Sequence, residues 1–321
     1  MFHLSRRRFV ISAAAASAAF GLDGPMEFLP PAHAQKKDKK DAAAAGVMKF
    51  KKFKVGDVEV TTIYDGVWEK AHDPGFVKNA SLDEVKAALK AGGLTDAHVP
   101  IPFTVTLVRI KGNYVLFDSS TGGQLAPTAN QFAANLKAAG VDASRIRTIV
   151  VTHFHPDHIF GLMAKDTNAQ VYPDAEILVP SAEYKFWTDP ATTAGAAKRI
   201  QATFPNWKNI RHIEPDREVV GGVRSINTYG HTPGHTSYLV AAGKSQLIVL
   251  GDVSNIPALF VKNPQWHAVF DMDGPLAEAN RRKIYDRVVA DKATITGYHF
   301  GMPGAGTIAK DGKGYAYKPV A

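Results

Sequence analysis

From residue 53 onward the chain consists of short apolar stretches rich in Val, Ile and Phe, punctuated by Gly, Asn and Asp. Residues 53–64 alternate apolar and polar positions on either side of Gly56-Asp57, which predicts a hairpin. A second strand pair is expected over residues 104–110 and 114–118, around Lys111-Gly112-Asn113. Residues 147–151 form a β-branched run suited to a buried strand, and 175–179, 223–229, 237–241, 246–250 and 293–298 read likewise. Helical spacing appears over residues 82–91, where Ser81 and Glu84 make a capping box, and again over 127–139 and 181–187. It returns over 275–291, with Leu276, Ile284, Val288 and Val289 as the apolar side and Arg281, Arg282 and Lys283 as the wet one. Residues 188–217 have little periodicity and read as an insertion, the kind of segment that can wall a pocket.

The polar residues that interrupt this pattern are not evenly spread. Four metal-ligand types fall within Thr152-His153-Phe154-His155-Pro156-Asp157-His158, directly after the 147–151 strand. In extended chain, His153 and His155 point to the same side, where two ring nitrogens can meet one ion. Pro156 breaks the strand, so Asp157 and His158 can turn toward a second, adjacent position. A solvated loop would have little reason to collect these residue types at these offsets. The second half repeats the plan of strand followed by ligand. Residues 223–229 run into Gly230-His231-Thr232-Pro233-Gly234-His235-Thr236, a tight turn able to deliver one imidazole inward. Asp252 closes the apolar strand 246–250, where a buried carboxylate is costly unless paired or metal-bound. His299 ends the 293–298 strand.

His-x-His-x-Asp-His after a strand resembles the signature of the metallo-β-lactamase superfamily of αββα hydrolases. That resemblance implies an α/β fold with two sheets face to face and helices outside, formed by residues 55–321 as one domain. It also implies a ligand set of His153, His155 and His235 for one ion and Asp157, His158 and His299 for the other, with Asp252 between them. His231 would then be a structural histidine, and Asp118, in the bend 118–123, would orient a ligand from behind. All seven ligands are nitrogen or oxygen donors, which suits two divalent ions, Zn²⁺ first, with Mn²⁺, Fe²⁺ and Co²⁺ also compatible. Two ions about 3.5–4 Å apart can share a hydroxide at neutral pH, with Asp157 or Asp252 relaying a proton. Within the superfamily the chain is most similar to methyl parathion hydrolases and N-acyl homoserine lactonases, so a small neutral lactone, ester or phosphotriester is the expected substrate. Its apolar part would rest against Trp187, Phe204 or Phe270. β-Lactam or thioester hydrolysis, or metal binding without catalysis, are the alternatives.

Charge and the N-terminus change where this chemistry would take place. Ser5-Arg6-Arg7-Arg8-Phe9-Val10 precedes an Ala-rich run, and Ala32-His33-Ala34 is a small-x-small cleavage pattern. Residues 1–34 therefore resemble a twin-arginine export signal, which implies the twin-arginine machinery as a partner and the periplasm or beyond as destination. The apolar run is too short for a stable membrane anchor. The formal charge of +8 sits largely in residues 35–54, with eight Lys against Asp38 and Asp41. That segment reads as a Lys-rich linker, and the near-neutral remainder gives little reason to expect nucleic acid. With no cysteine, thiolate ligands and disulfides are excluded. A homodimer is compatible with the class.

Overall fold

The structure is a computed structural model describing residues 48–321. The signal assigned to residues 1–34 and the greater part of the 35–54 linker lie outside the described residues. Two seven-stranded mixed sheets form the body. The first runs in the order β1 (Phe50–Val55), β2 (Val58–Lys70), β3 (Val99–Ile110), β4 (Asn113–Phe117), β5 (Ile146–Val150), β6 (Glu176–Pro180) and β7 (Ile210–Ile213). It is antiparallel up to β4 and parallel from β4 to β7. The second contains β8 (Glu218–Val220), β9 (Val223–Asn227), β10 (Thr236–Ala242), β11 (Ser245–Val249), β12 (Thr294–Thr296), β13 (Ala305–Asp311) and β14 (Gly314–Pro319), with only the β11–β12 pair parallel.

The inner strands β4, β6 and β11 carry runs of consecutive buried apolar residues because both faces of each sheet are covered there. Val115, Phe117, Val150 and Leu178 of the first sheet meet Tyr238, Val240, Leu247 and Val249 of the second in a central layer. Their neighbours Leu116, Ile149 and Ile177 turn the other way, toward a core shared with the first sheet's helices. Ile248 and Ile295 face the corresponding layer behind the second sheet. The helices are α1 (Leu82–Ala91), α2 (Phe132–Ala138), α3 (Pro156–Ile159), α4 (Ser181–Thr188), α5 (Ala197–Thr203) and α6 (Gly274–Asp291). The αββα arrangement expected from the sequence is therefore the one observed. The α1 capping box is present, with Glu84 N donating to Ser81 Oγ and Ser81 N to Glu84 Oε2.

Four local expectations need correction. The last residues given to the linker are strand β1, an edge strand whose lysines guard it against further pairing. Residues 188–217 hold α5 and β7, elements of one or two turns or four residues, too short to leave a period. A hairpin, β13–β14, follows His299 with Gly312-Lys313 at its turn, beyond the elements that the apolar pattern predicts. Arg281 on α6 points inward and is 1% exposed. Its guanidinium is satisfied by the carbonyls of Val253, Pro264 and Trp266 and by Asp271 Oδ2, so burial leaves no donor group without a polar partner.

Candidate metal centre

Strands β5, β9, β11 and β12 deliver the polar cluster from their carboxyl ends. After β5, Thr152 is pinned by Asp118, whose Oδ1 accepts the Thr152 N–H and whose Oδ2 accepts its hydroxyl. The chain then passes His153 to His155, whose backbone is extended, and Pro156 starts the single turn of α3 that carries Asp157 and His158. His153, His155, Asp157, His158, Asp252 and His299 are all buried and lie together.

The donors fall into two groups. In the first, His155 Nδ1 stands 3.0 Å from His153 Nε2 and 2.9 Å from His231 Nε2. In the second, Asp157 Oδ2 stands 3.3 Å from His158 Nε2 and 3.2 Å from His299 Nε2. Asp252 reaches rings of both: its Oδ2 is 3.5 Å from His231 Nε2 and 3.0 Å from His299 Nε2, and its Oδ1 is 3.4 Å from His158 Nε2.

The sequence-derived ligand set is corrected at one position. His231, not His235, shares the first group. His235 is just as buried, but both its nitrogens are engaged: Nε2 accepts the Asp252 N–H at 2.8 Å, and Nδ1 meets Thr228 Oγ1 at 2.8 Å. No lone pair is left for an ion. The ring packs so closely on the backbone that a Cβ on Gly251 would stand 2.7 Å from His235 Nε2. Burial, then the charge of neighbouring His231, holds this imidazole down at about 3, so it stays neutral.

The residues fit divalent ions. Four N or O donors at about 2.0–2.1 Å from one ion are separated by roughly 3.3 Å, and the separations above bracket that value. His158 Nε2 and Asp252 Oδ1 are buried without a hydrogen-bond partner, which is costly for polar atoms unless a cation takes their lone pairs. Groups behind the rings fix their tautomers. Asp271 Oδ1 lies 2.9 Å from His231 Nδ1, Asp118 Oδ2 lies 2.8 Å from His158 Nδ1 and the Pro102 carbonyl lies 2.8 Å from His299 Nδ1. Each of these oxygens accepts, so each Nδ1 carries the proton and each Nε2 presents its lone pair inward. Thr152 Oγ1, already donating to Asp118, accepts from His153 Nδ1 in the same way.

Electrostatically the two groups differ. Burial and the neighbouring rings keep His153 and His155 well below the ordinary imidazole value, so they are neutral donors. At His158 burial acts downward, but Asp157, Asp252 and Asp118 outweigh it and raise the ring well above that value. His299 is likewise raised to about 9, burial being outweighed chiefly by Asp252 and Asp157. Asp157 and Asp252 move down despite burial, because His158 and His299 face them. The second group thus demands positive charge, from protons or from an ion.

Asp271 and Glu183 were not singled out in the sequence. Asp271 links the buried Arg281 to His231. Of the aromatics expected to wall a pocket, Phe204 is core, packed between Phe154 and Trp207. Phe270 packs on Phe76 and Trp68. Trp187 is buried, its ring 6.1 Å from that of His155.

The model of the metallo-beta-lactamase superfamily matches residues 101–295. The chain belongs to that superfamily. All the cluster residues except His299 fall within the matched span. Among curated proteins it is similar to an N-acyl homoserine lactonase of a Bacillus species, 31% identical over 160 residues, 50% of this chain and 58% of the relative. It is also similar to one from Bacillus cereus, 29% identical over 178 residues, 54% of this chain and 64% of that protein. The alignments thus span less than two thirds of these relatives. Among solved structures, AidC, a dizinc quorum-quenching lactonase in complex with a product, superposes with a TM-score of 0.75 at 24% identity, covering 85% of this chain and 97% of the other. The hydrolase AbOPH of the beta lactamase superfamily superposes with a TM-score of 0.79 at 26% identity, covering 86% and 98%.

Proposed function

We propose that this chain is a two-metal hydrolase that opens neutral lactone rings of the N-acyl homoserine lactone type and also takes neutral esters and phosphotriesters. The observation that carries the reading is Asp252, whose carboxylate stands between two groups of inward-facing ligands. His153 Nε2, His155 Nδ1 and His231 Nε2 would hold one ion and Asp157, His158 and His299 the other, with Asp252 shared. Two such ions, when bound, lower the pKa of water to about 7 and polarise a carbonyl or phosphoryl oxygen.

The chain's own part is to orient and to move a proton. The carboxylate oxygens of Asp157 and Asp252 are the acceptors in reach of an attacking water. As the new C–O bond forms and the ring C–O bond breaks, a proton held at one of them passes to the departing alkoxide. A neutral substrate is favoured because nearby cations are already engaged: Arg281 by three carbonyls and Asp271, and Lys78 Nζ by the Asp271 carbonyl. The N-terminal pattern supports action after export, in the periplasm or outside the cell.

The test is metal analysis of the mature protein followed by a panel of acyl lactones, aryl esters, phosphotriesters and a cephalosporin. Lactone hydrolysis should be lost on chelation and return with Zn²⁺, Mn²⁺, Fe²⁺ or Co²⁺. Metal loading with no turnover of any neutral ester, lactone or phosphotriester would overturn the reading, as would efficient cleavage of RNA or a glutathione thioester alone.

A further inference from the structure

Glu183 is a fully buried carboxylate that makes no ion pair among the described residues and takes no part in the chemistry above. It sits in the first turn of α4, and both its oxygens are saturated. Oε1 accepts the Phe154 N–H at 2.9 Å and the Trp187 Nε1–H at 2.6 Å. Oε2 accepts the Thr232 hydroxyl and the Gly234 N–H, each at 2.8 Å. Phe154 lies between His153 and His155, and Thr232 and Gly234 belong to the turn that follows His231. One carboxylate therefore ties together the two loops that carry the three rings of the first group. The approach is close enough that a Cβ on Gly234 would stand 2.1 Å from Glu183 N. A buried ionised carboxylate is costly, and four donors are what makes it tolerable. Burial pushes Glu183 up, while those four hydrogen bonds pull it back.

We propose that Glu183 is a positioning residue that sets the separation of His231 from His153 and His155, and so the affinity of the first ion alone. The inference rests on the two-metal reading of the cluster. Its selectivity comes from the partners of Glu183. In the Glu183→Gln variant the side-chain amide would have to turn its NH₂ toward one pair of donors. At Oε1 both donors are obligate N–H groups, whereas at Oε2 the Thr232 hydroxyl can reverse and accept. The NH₂ therefore faces Thr232 and Gly234, the Gly234 N–H loses its acceptor, and the His231 turn is loosened. The Phe154 bond survives, so the loop bearing Asp157 and His158 stays in place.

The experiment is stepwise metal removal from zinc-loaded protein with a graded chelator, counting ions per chain by native mass spectrometry. In E183Q the two-ion species should give way to the one-ion species at about 10- to 100-fold lower chelator than in wild type, the range for a group that orients a ligand. Loss of the remaining ion should occur at the wild-type concentration. Trp187→Phe removes a donor that comes from α4 itself and leaves an aromatic ring beside His155, so it should match wild type at both steps. Thr232→Val, which deletes only the hydroxyl donor, should shift the first step by a smaller factor, and it serves if E183Q does not fold. In a His299→Ala background, E183Q should also weaken the ion that remains. Equal shifts at both steps in E183Q, no shift at either, or the same first-step shift in W187F would overturn the proposal. A wild-type chain never seen with two ions would instead sink the two-metal reading beneath it.

Discussion

The assignment of His231 rather than His235 to the ion can be tested by removing each ring in turn. His235→Ala deletes the acceptor of the buried Asp252 N–H, which costs about 1–3 kcal/mol. Thr228 Oγ1 keeps Ser237 as a partner and adds little. The space left by a fully buried ring adds a cavity term, for a total of roughly 3–5 kcal/mol. In a domain of this size each kcal/mol lowers Tm by about 2–4 °C, so His235→Ala should melt roughly 10 °C early. Its two-ion stoichiometry should survive. His231→Ala removes a donor that lies 2.9 Å from His155 Nδ1. Its effect on the first ion should exceed the roughly 100-fold upper end expected for a group behind a ligand. The assay pairs calorimetry of both variants with metal content after dialysis against a weak chelator. If His235→Ala lost one ion while keeping its Tm, and His231→Ala held two at wild-type affinity, the geometric assignment would be wrong.

Other outcomes follow from single contacts. Arg281→Met strips the cation from Asp271 and should destabilise the protein by about 3–5 kcal/mol, measurable by urea unfolding; a change under about 1 kcal/mol would mean that the buried pair is not needed. Burial opposes the shift, but His267 and Arg282 hold the Glu278 carboxyl below its usual range. A depressed carboxylate contributes stability above its unfolded pKa and loses it as pH falls through the folded one. Glu278→Gln should therefore cost about 0.5 kcal/mol at pH 7, with the gap to wild type closing below about pH 4; a gap that widened in acid would contradict this. Added Zn²⁺ should raise Tm, since a ligand at 100 times its Kd adds about 2.7 kcal/mol to stability, and an unchanged melting curve at saturating metal would count against the centre. Arg6→Lys with Arg7→Lys should keep the precursor uncleaved in the cytoplasm, as cell fractionation would reveal.

Much of the fold could be read from the sequence because its signals are local. The β-branched run before Thr152, the capping box at Ser81 and the Gly56-Asp57 turn each need only a few consecutive residues. The ligand loop was equally readable, since its members lie within six residues of one another. His231 and His235 could not be told apart this way. They stand four residues apart on one turn, and what separates them is the Asp252 N–H that occupies one ring and the Asp271 carboxylate that orients the other. Arg281 failed for a similar reason. Helical spacing gives a charged residue to solvent unless acceptors are known to wait inside, and here three of the four are backbone carbonyls at residues 253, 264 and 266. Backbone acceptors leave no mark in composition.

The same logic explains why the centre needs both halves of the molecule. Three of the rings are delivered by one strand end but oriented by another element: His158 by Asp118 after β4, His299 by the Pro102 carbonyl on β3, and His231 by Asp271 ahead of α6. The first sheet orients His153 and His158 with its own Thr152 and Asp118, but His299 is fixed only across the sheets, the first supplying the oxygen and the second the ring. Docking the sheets through the apolar layer of Phe117, Val150, Tyr238 and Val249 is thus what turns seven scattered polar residues into a preorganised set of lone pairs. Tyr238 of that layer also donates its hydroxyl to the Val151 carbonyl just ahead of the ligand loop, so the layer holds in register the two surfaces from which His153 and His231 approach each other.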